Sequence, residues 1–295
     1  MQADALSYQD QHLTADLRKS SIVVNKKTDG NFNGKINFAF AQVNTGAPQA
    51  GQGSFSNGSM DMQWQQPQTG GLLEKFSAAL TCTQPTWQYH ELHTGASSGT
   101  AKIEYNAASV PMIQGSITMK HPNLLGSFFS AIGENMTNSF SGNPDNISGM
   151  LNLTGASITS PAGDIELKGV ELVLPYLAAS ALPGELAPGK LTARELYCKQ
   201  QPEGAFSATL RHGWNLKTAA HTLQMDGILK SAKFSGKPFK VQTLWQLPPS
   251  ASAEEWTLEL AESKLAMPLE LNRYMELPAP LTALKGNFAF NGKLK

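Results

Sequence analysis

Charge is scarce in this sequence of 295 residues, and neither sign is in excess. Charged side chains make up 16% of the chain, against about 25% in an average protein, and 23 basic residues balance 23 acidic ones. No five or six like charges follow one another. Because nucleic-acid binding needs a local excess of Lys and Arg to meet the phosphates, we expect no nucleic-acid partner.

Long hydrophobic runs are also missing. The longest weakly polar stretch, Leu172 to Leu182, is about half of the roughly 20 residues that a bilayer crossing needs, and it contains Pro175. The first twenty residues carry five charges and lack the apolar core of a signal peptide. We therefore predict no transmembrane segment in this chain. We also expect the sequence to be a fragment of a longer protein, with any anchor or export signal lying upstream.

Cysteine and histidine are too sparse to indicate a metal site. The two cysteines, Cys82 and Cys198, are explained equally well by one disulfide in an oxidising compartment and by two buried free thiols. His90 and His93 lie in a segment that alternates like a strand, where residues three apart point to opposite faces. We predict no metal and no cofactor.

Alternation of apolar and polar residues with a period of two is what the chain has in abundance. In one example Ile36, Phe38 and Phe40 point one way while the residues between them point the other, as in a half-buried strand. Dipeptides such as Asn33-Gly34 and Asn57-Gly58 separate such runs and predict tight turns. Strands do not alternate with helices of a dozen residues. The sequence therefore predicts an all-β fold, a curved antiparallel meander that is either groove-like or sandwich-like.

One segment departs from this rhythm and predicts a single amphipathic helix near residues 122–140. It divides the chain into an N-terminal β region (1–121), a helix-and-turn insertion (122–144) and a C-terminal β region (145–295). The two β regions are compatible with one continuous sheet. The apolar residues that recur three or four apart in the predicted helix are Leu125, Phe128, Phe129, Ile132, Met136 and Phe140.

Two short motifs match the letters of catalytic or nucleotide-binding sites without their setting. Gly95-Ala96-Ser97-Ser98-Gly99 has the spacing of the nucleophile elbow of α/β hydrolases, but a strand, Ala101 to Tyr105, is predicted to follow instead of a helix. Gly30 to Lys35 is one residue short of a P-loop. We interpret both as turn or loop sequences and predict that the protein is not an enzyme.

The alternating strands together define an apolar stripe. Its residues either form the core of a sandwich of two sheets or line the concave face of one curved sheet that holds acyl chains, and periodicity does not distinguish these alternatives. The stripe, which is the candidate lipid-binding site, consists of Phe38, Phe40, Leu80, Ile103, Tyr105, Ile117, Met119, Leu151, Leu153, Ile165, Leu167, Leu172, Leu174, Leu258, Leu260, Phe288 and Phe290.

Three strings carry a resemblance to a known superfamily: residues 6–13 (LSYQDQHL), 149–155 (GMLNLTG) and 163–175 (GDIELKGVELVLP). They are similar to the AsmA-like proteins of Gram-negative bacteria, which include the TamB-like and YdbH-like bridges. A weaker resemblance is to the type II secretion protein N. The resemblance extends over most of the chain but rests on no invariant motif, so it assigns no role to any residue.

The resemblance implies a repeating β-groove that carries phospholipid across the periplasm as part of the cell envelope. It favours the groove alternative and predicts a non-enzymatic lipid-binding or lipid-transport segment, with phospholipid or another acyl-chain molecule as ligand and an envelope protein as a further partner. It also implies anchoring to the inner membrane through a segment outside this chain. The alternative function is a structural or adhesive β-rich protein with a closed core that binds a protein or glycan.

Overall fold

Strands make up all the regular structure that the computed structural model describes, and no helix occurs among these residues. The described residues are 2–10, 13–27, 31–46, 51–65, 74–89, 92–107, 110–126, 129–217, 220–230, 239–246, 257–267 and 286–294. The prediction of an all-β fold with antiparallel neighbours is confirmed.

By its internal contacts the chain divides into two units, Met1–Leu153 and Thr154–Lys295, and the boundary falls within one strand, β12. The strands up to this point are β1 (Gln2–Gln9), β2 (Leu13–Lys26), β3 (Asn31–Thr45), β4 (Gly51–Gln65), β5 (Lys75–Tyr89), β6 (Leu92–Gly95), β7 (Ser98–Asn106), β8 (Met112–Lys120), β9 (Asn123–Gly126), β10 (Phe129–Ile132), β11 (Asn135–Asn143) and β12 (Asn146–Thr159). Those that follow are β13 (Ile165–Ala179), β14 (Gly189–Cys198), β15 (Gln201–Asn215), β16 (Ala220–Lys230), β17 (Phe239–Gln246), β18 (Thr257–Met267) and β19 (Gly286–Leu294).

Long strands that pair with their sequence neighbours form the first unit. β1 to β5 follow one another as an antiparallel meander, and β5 then pairs with β6 along one half and with β7 along the other. From there the sheet continues along two branches, β6–β9–β10 and β7–β8–β11. Neighbouring residues of a strand point to opposite faces, as the alternation of apolar and polar residues predicts for β3, β4, β5, β7 and β8.

A crease crosses this sheet where the strands bend. Lys19, Asn57, Gln84 and His121 have positive φ angles between 44° and 47°, which are rare for residues other than glycine. The ladders of β2–β3, β3–β4 and β4–β5 are all interrupted beside Lys19, Asn57 and Gln84, which shows that these three residues lie at one level of the sheet. The backbone bonds from Gln84 N to Ser97 O and from Ser97 N to Lys120 O continue this line. We call this line the crease.

The core of the first unit lies along the crease, on one side of the sheet. Phe38 and Ala41 are 7% and 3% exposed although they lie three residues apart on β3, so the buried face changes from even to odd positions between them. Cys82 is buried just before the crease on β5 and Ala131 is buried beyond it on β10, whereas Lys19, Asn57 and Gln84 are exposed. The sheet therefore bends toward its apolar face.

The predicted helix near 122–140 is wrong, because this segment forms β9, β10 and β11. The backbone of β9 bonds to β6 and β10, and β11 pairs with β8 over eight residues. Gly126 and Gly133, each of which costs a helix about 1 kcal/mol, lie at or beside the ends of the short strands. Ladder bonds to neighbouring strands thus outweigh the weak helical preference of the segment. Phe128 lies outside the described residues.

The second unit repeats this construction around β13 to β16. β13, β14, β15 and β16 pair in order as antiparallel neighbours, and the end of β13 also pairs in parallel with β15. Gly155 and Gly169 have positive φ angles, and the β14–β15 ladder is irregular beyond Ala193. Val170, which follows Gly169, is fully buried. β16 to β19 continue the meander.

Candidate lipid-binding face

The ladders of the first unit sort its side chains into an apolar face and a polar face. Directly opposite residues share a face, so each row can be followed across β3, β4, β5, β7 and β8. We call the row at the strand ends, farthest from the crease, the rim row. Toward the crease, the apolar rows are Phe32, Trp64, Phe76, Tyr105 and Ile113 (the rim row); Gly34, Met62, Ala78, Ile103 and Gly115; Ile36, Met60, Leu80, Ala101 and Ile117; and Phe38, Gly58, Cys82, Gly99 and Met119.

The opposite face carries amides, hydroxyls and balanced charges that bond to each other across the strands. Gln114 Nε2 donates to Glu104 Oε2 at 2.6 Å, and Lys35 Nζ lies 3.6 Å from Asp61 Oδ1. Asn152 Nδ2 donates to Thr137 Oγ1 at 3.2 Å on the same face. The polar face is suited to water or to polar ligands, because its side chains both donate and accept hydrogen bonds. A groove of about 720 Å³ at the strand ends is lined by residues of both faces: the five residues of the rim row, and polar residues that include Asn33, Gln63, Ser77 and Gln114.

Glycines on the apolar face make room for aromatic rings from the next strand. A side chain at Gly58 would overlap the ring of Phe38, and a Cβ at Gly115 would lie 2.6 Å from Cζ of Phe140. The rings can therefore lie flat over the neighbouring backbone. This packing flattens the apolar surface and widens the area that a long, thin ligand could contact.

The large side chains of the apolar face are mostly half-buried. In the three rows from the rim row inward to Leu80, every described aromatic, Met, Leu and Ile side chain retains part of its accessible surface, and full burial begins only at the crease with Phe38 and Cys82. A sandwich of two sheets would bury such rows completely. Because these rows contain no charge, an apolar ligand could cover them without desolvating an ion.

Most of the predicted stripe in the first unit lies on this face. Leu151 and Leu153 belong to it because they flank Asn152, whose amide bonds on the polar face, and Leu153 is 6% exposed. Phe40 comes after the crease changes the phase of β3, and its ring packs against the Arg18 guanidinium at 5.6 Å instead of joining the rows. The predicted residues that the rows contain are Phe38, Leu80, Ile103, Tyr105, Ile117 and Met119.

The second unit divides its predicted residues in the same way. Leu172 lies opposite Leu191 on the same face as buried Val170, and Leu174 has the same alternation. Leu167 lies opposite Leu196, on the other side of the phase change at Gly169. Ile165, opposite Cys198, is about half exposed. Leu258, Leu260, Phe288 and Phe290 lie on β18 and β19, whose side chains are outside the described residues.

The sequence also holds apolar-face residues that the predicted stripe omits. Phe32, Trp64 and Phe76 form most of the rim row, and Met60 and Met62 fill the rows behind it. The signal that identifies them is the register: Trp64 and Phe76 face each other only when β4 and β5 pair as they do. Alternation within one strand does not supply that information.

Both cysteines are free thiols in this structure. Cys82 is buried at the crease of the first unit, where its thiol is 3.7 Å from Gly99 O, and Cys198 is partly buried in the second unit. Burial raises the pKa of both thiols, since desolvation disfavours the thiolate.

Ser97, in the motif with nucleophile-elbow spacing, joins two strands and does not precede a helix. It lies between β6 and β7, where its hydroxyl contacts Lys120 O at 3.1 Å and His121 Nδ1 at 3.0 Å. These contacts fasten the crease on the exposed side of the sheet. The strained strand–turn–helix setting of a hydrolase nucleophile is missing at this motif.

No group of three or more His, Cys, Asp and Glu side chains suited to a metal ion occurs among the described residues. His93 lies on β6, and His90 is outside the described residues. The described part of the chain also contains no helix with the length and apolar character needed to span a bilayer.

Comparison with known proteins gives no assignment. No family model matches the chain, and no curated protein or solved structure shows significant similarity to it.

Proposed function

We propose that this chain is a non-enzymatic lipid-binding segment whose apolar sheet face shields acyl chains, and that it acts in phospholipid transport within the periplasm of the cell envelope. The observation that carries the proposal is the two-sided sheet of the first unit, in which uncharged rows of large apolar side chains stay half-buried. At about 25 cal/mol per Å² of apolar surface removed from water, covering such rows with an acyl chain is strongly favourable. The polar face meanwhile keeps the sheet soluble.

The periplasmic location and inner-membrane anchoring are supported by the resemblance to AsmA-like proteins. The fold is compatible with that resemblance, since it is built from bent antiparallel strands. An envelope protein partner belongs to the same proposal.

The test is lipid occupancy in protein purified without detergent. Native mass spectrometry and lipid extraction should detect phospholipid or another acyl-chain lipid on the wild-type chain. Ile117→Asp places a carboxylate in a half-buried apolar row, so it should fold and lose most of its lipid. Thr118→Asp, the next residue of β8 on the polar face, is the matched control and should keep wild-type occupancy.

Two results would contradict the proposal. One is protein that carries no lipid and takes none from vesicles. The other is equal lipid loss in Ile117→Asp and Thr118→Asp, which would separate lipid binding from the apolar face. If Ile117→Asp fails to fold, Ala101→Ser in the same row provides a milder change that should lower occupancy without unfolding.

A structural or adhesive protein that binds a protein or glycan is the second candidate. The observation that favours it is the polar face, whose amides Asn33, Gln63 and Gln114 also line the groove at the strand ends. Asn33→Ala together with Gln63→Ala should abolish binding to a glycan array if this candidate is correct, and it should leave lipid occupancy unchanged.

A further inference from the structure

The composition of the apolar face changes with distance from the crease. The two rows behind the rim row are aliphatic or contain methionine, whereas the rim row contains four aromatic residues. Lys26 on β2 lies opposite Phe32 and so is next to the end of the rim row. The face thus has an aliphatic interior and an aromatic edge that ends beside a lysine, Lys26.

Side-chain contacts at one end of the rim row join two aromatic rings and Lys26. The rings of Phe32 and Trp64 are stacked with centroids 5.3 Å apart and planes 5° from parallel. Lys26 Nζ lies 5.7 Å from the centroid of Phe32, so the ammonium is next to the aromatic surface and still exposed to water. Tyr105 continues the row beyond Phe76.

Tryptophan, tyrosine and lysine together are typical of a boundary between an apolar phase and water. Their rings or methylene stems contact hydrocarbon while an N–H, a hydroxyl or an ammonium stays hydrated. The same residue types mark the headgroup level of membrane proteins. A lipid on this face would therefore meet a headgroup-like environment at the rim row and a hydrocarbon-like one at the crease.

We infer that the rim row orients a glycerophospholipid, with the ester and phosphate groups beside Lys26, Trp64 and Tyr105 and the acyl chains directed toward the crease. This inference rests on the proposed lipid-binding function and adds its direction and a phosphate contact. The reverse orientation would place a phosphate among Phe38, Leu80 and Ile117, where the rows offer no charge to offset its desolvation.

Brominated phospholipids test the orientation through Trp64. Bromine atoms quench tryptophan fluorescence at short range. The difference in fluorescence quenching between wild type and Trp64→Phe therefore gives the contribution of Trp64. Lipid brominated near the ester groups should quench Trp64 more than lipid brominated near the chain ends. Equal or reversed quenching, with lipid still bound, overturns the orientation and leaves the lipid-binding proposal standing. Absence of any bound lipid overturns both.

The phosphate contact is tested with Lys26→Gln and vesicles of phosphatidylglycerol or phosphatidylcholine. Loss of one exposed ionic contact should lower phosphatidylglycerol occupancy about two- to fivefold and phosphatidylcholine occupancy less. Lys102→Gln, on the polar face of β7, is the control and should change neither. Equal occupancy in wild type and Lys26→Gln contradicts the phosphate contact.

Inorganic phosphate carries the same charged group as a phospholipid and is the other ligand that Lys26 would attract. Inorganic phosphate alone should leave Trp64 fluorescence unchanged, since the inference requires the acyl chains to bring the phosphate to the rim row. A saturable response to inorganic phosphate that Lys26→Gln removes would show a free-anion site and overturn the inference.

Discussion

Paired positions on neighbouring strands, one small and one aromatic, determine the surface of the apolar face. Phe38 lies over Gly58 and Phe140 over Gly115, so each ring replaces the side chain that its neighbour lacks. Asn57-Gly58 and Asn33-Gly34, which predict turns from sequence, instead lie inside β4 and β3. A Cβ at Gly58 would overlap the Phe38 ring, and one at Gly34 would lie 3.0 Å from Met62 Cε and from the Trp64 ring. Asn57 has one of the positive φ angles of the crease. A dipeptide alone does not distinguish these roles.

His212 is the residue whose titration should affect stability. It is partly buried on β15 with its ring 6.5 Å from that of Tyr176, and burial lowers its pKa because the imidazolium is poorly solvated there. The unfolded chain, with a usual histidine pKa of about 6.5, then binds the proton more readily than the folded chain. Stability should therefore fall as the pH drops below about 6.5 and should gain nothing from this group above it.

Urea unfolding of wild type and His212→Gln between pH 5 and pH 8 measures this effect. In His212→Gln the free energy of unfolding should fall less at acid pH than it does in wild type. The fall that both proteins share comes from the other titrating groups. Identical pH profiles would show that His212 takes up its proton equally in both states.

At the scale of elements, segment 123–143 shows where periodicity misleads. Leu125 and Ile132 fit a helical stripe with Met136. In the structure, however, Leu125 is 57% exposed and Ile132 is 65% exposed. Leu124 and Ala131 instead point inward from β9 and β10. The strands are only four residues long, which is too short for alternation to compete with a chance spacing of three or four. What decides the structure is pairing with β6 and β8, which are distant in sequence.

Two neighbouring residues distinguish the strand from the helix in solution. Ala131→Asp should destabilise the protein by several kcal/mol, because the carboxylate would enter a site that is 3% exposed. Ile132→Thr should change the free energy of unfolding by no more than about 0.5 kcal/mol, as at other surface positions. Chemical denaturation measures both. A large loss in Ile132→Thr with a small one in Ala131→Asp would support the helix.

At the scale of the whole molecule, the sequence predicts the fold class and much of the apolar face but not how far that face is covered. Ile103 and Ile117 alternate with polar neighbours in the same way whether another layer buries them or a ligand does. How far Ile103 and Ile117 are buried depends on where strands that are distant in sequence lie. The sequence places Phe40 in the stripe because no property of β3 alone locates the phase change between Phe38 and Ala41.

The number and reactivity of free thiols test the positions that the structure gives to Cys82 and Cys198. Denatured, non-reduced protein should titrate with two thiols per chain, and intact mass should show no loss of two hydrogens. In the native protein at neutral pH both should react slowly, because burial raises their pKa, and Cys82 should be slower than the more accessible Cys198. A protein without free thiols, or with Cys82 the faster, would contradict the structure.

The crease has a consequence for how such a sheet can evolve. The ladders of β2 to β5 are all interrupted at one level, so a further hairpin with the same bend could be inserted without altering the cross-section of the apolar face. Each added strand would lengthen that face by about 4.8 Å, the spacing between hydrogen-bonded neighbours. Gene duplication can then lengthen the apolar face in steps. The width of that face, which is the distance from the crease to the rim row, stays constant.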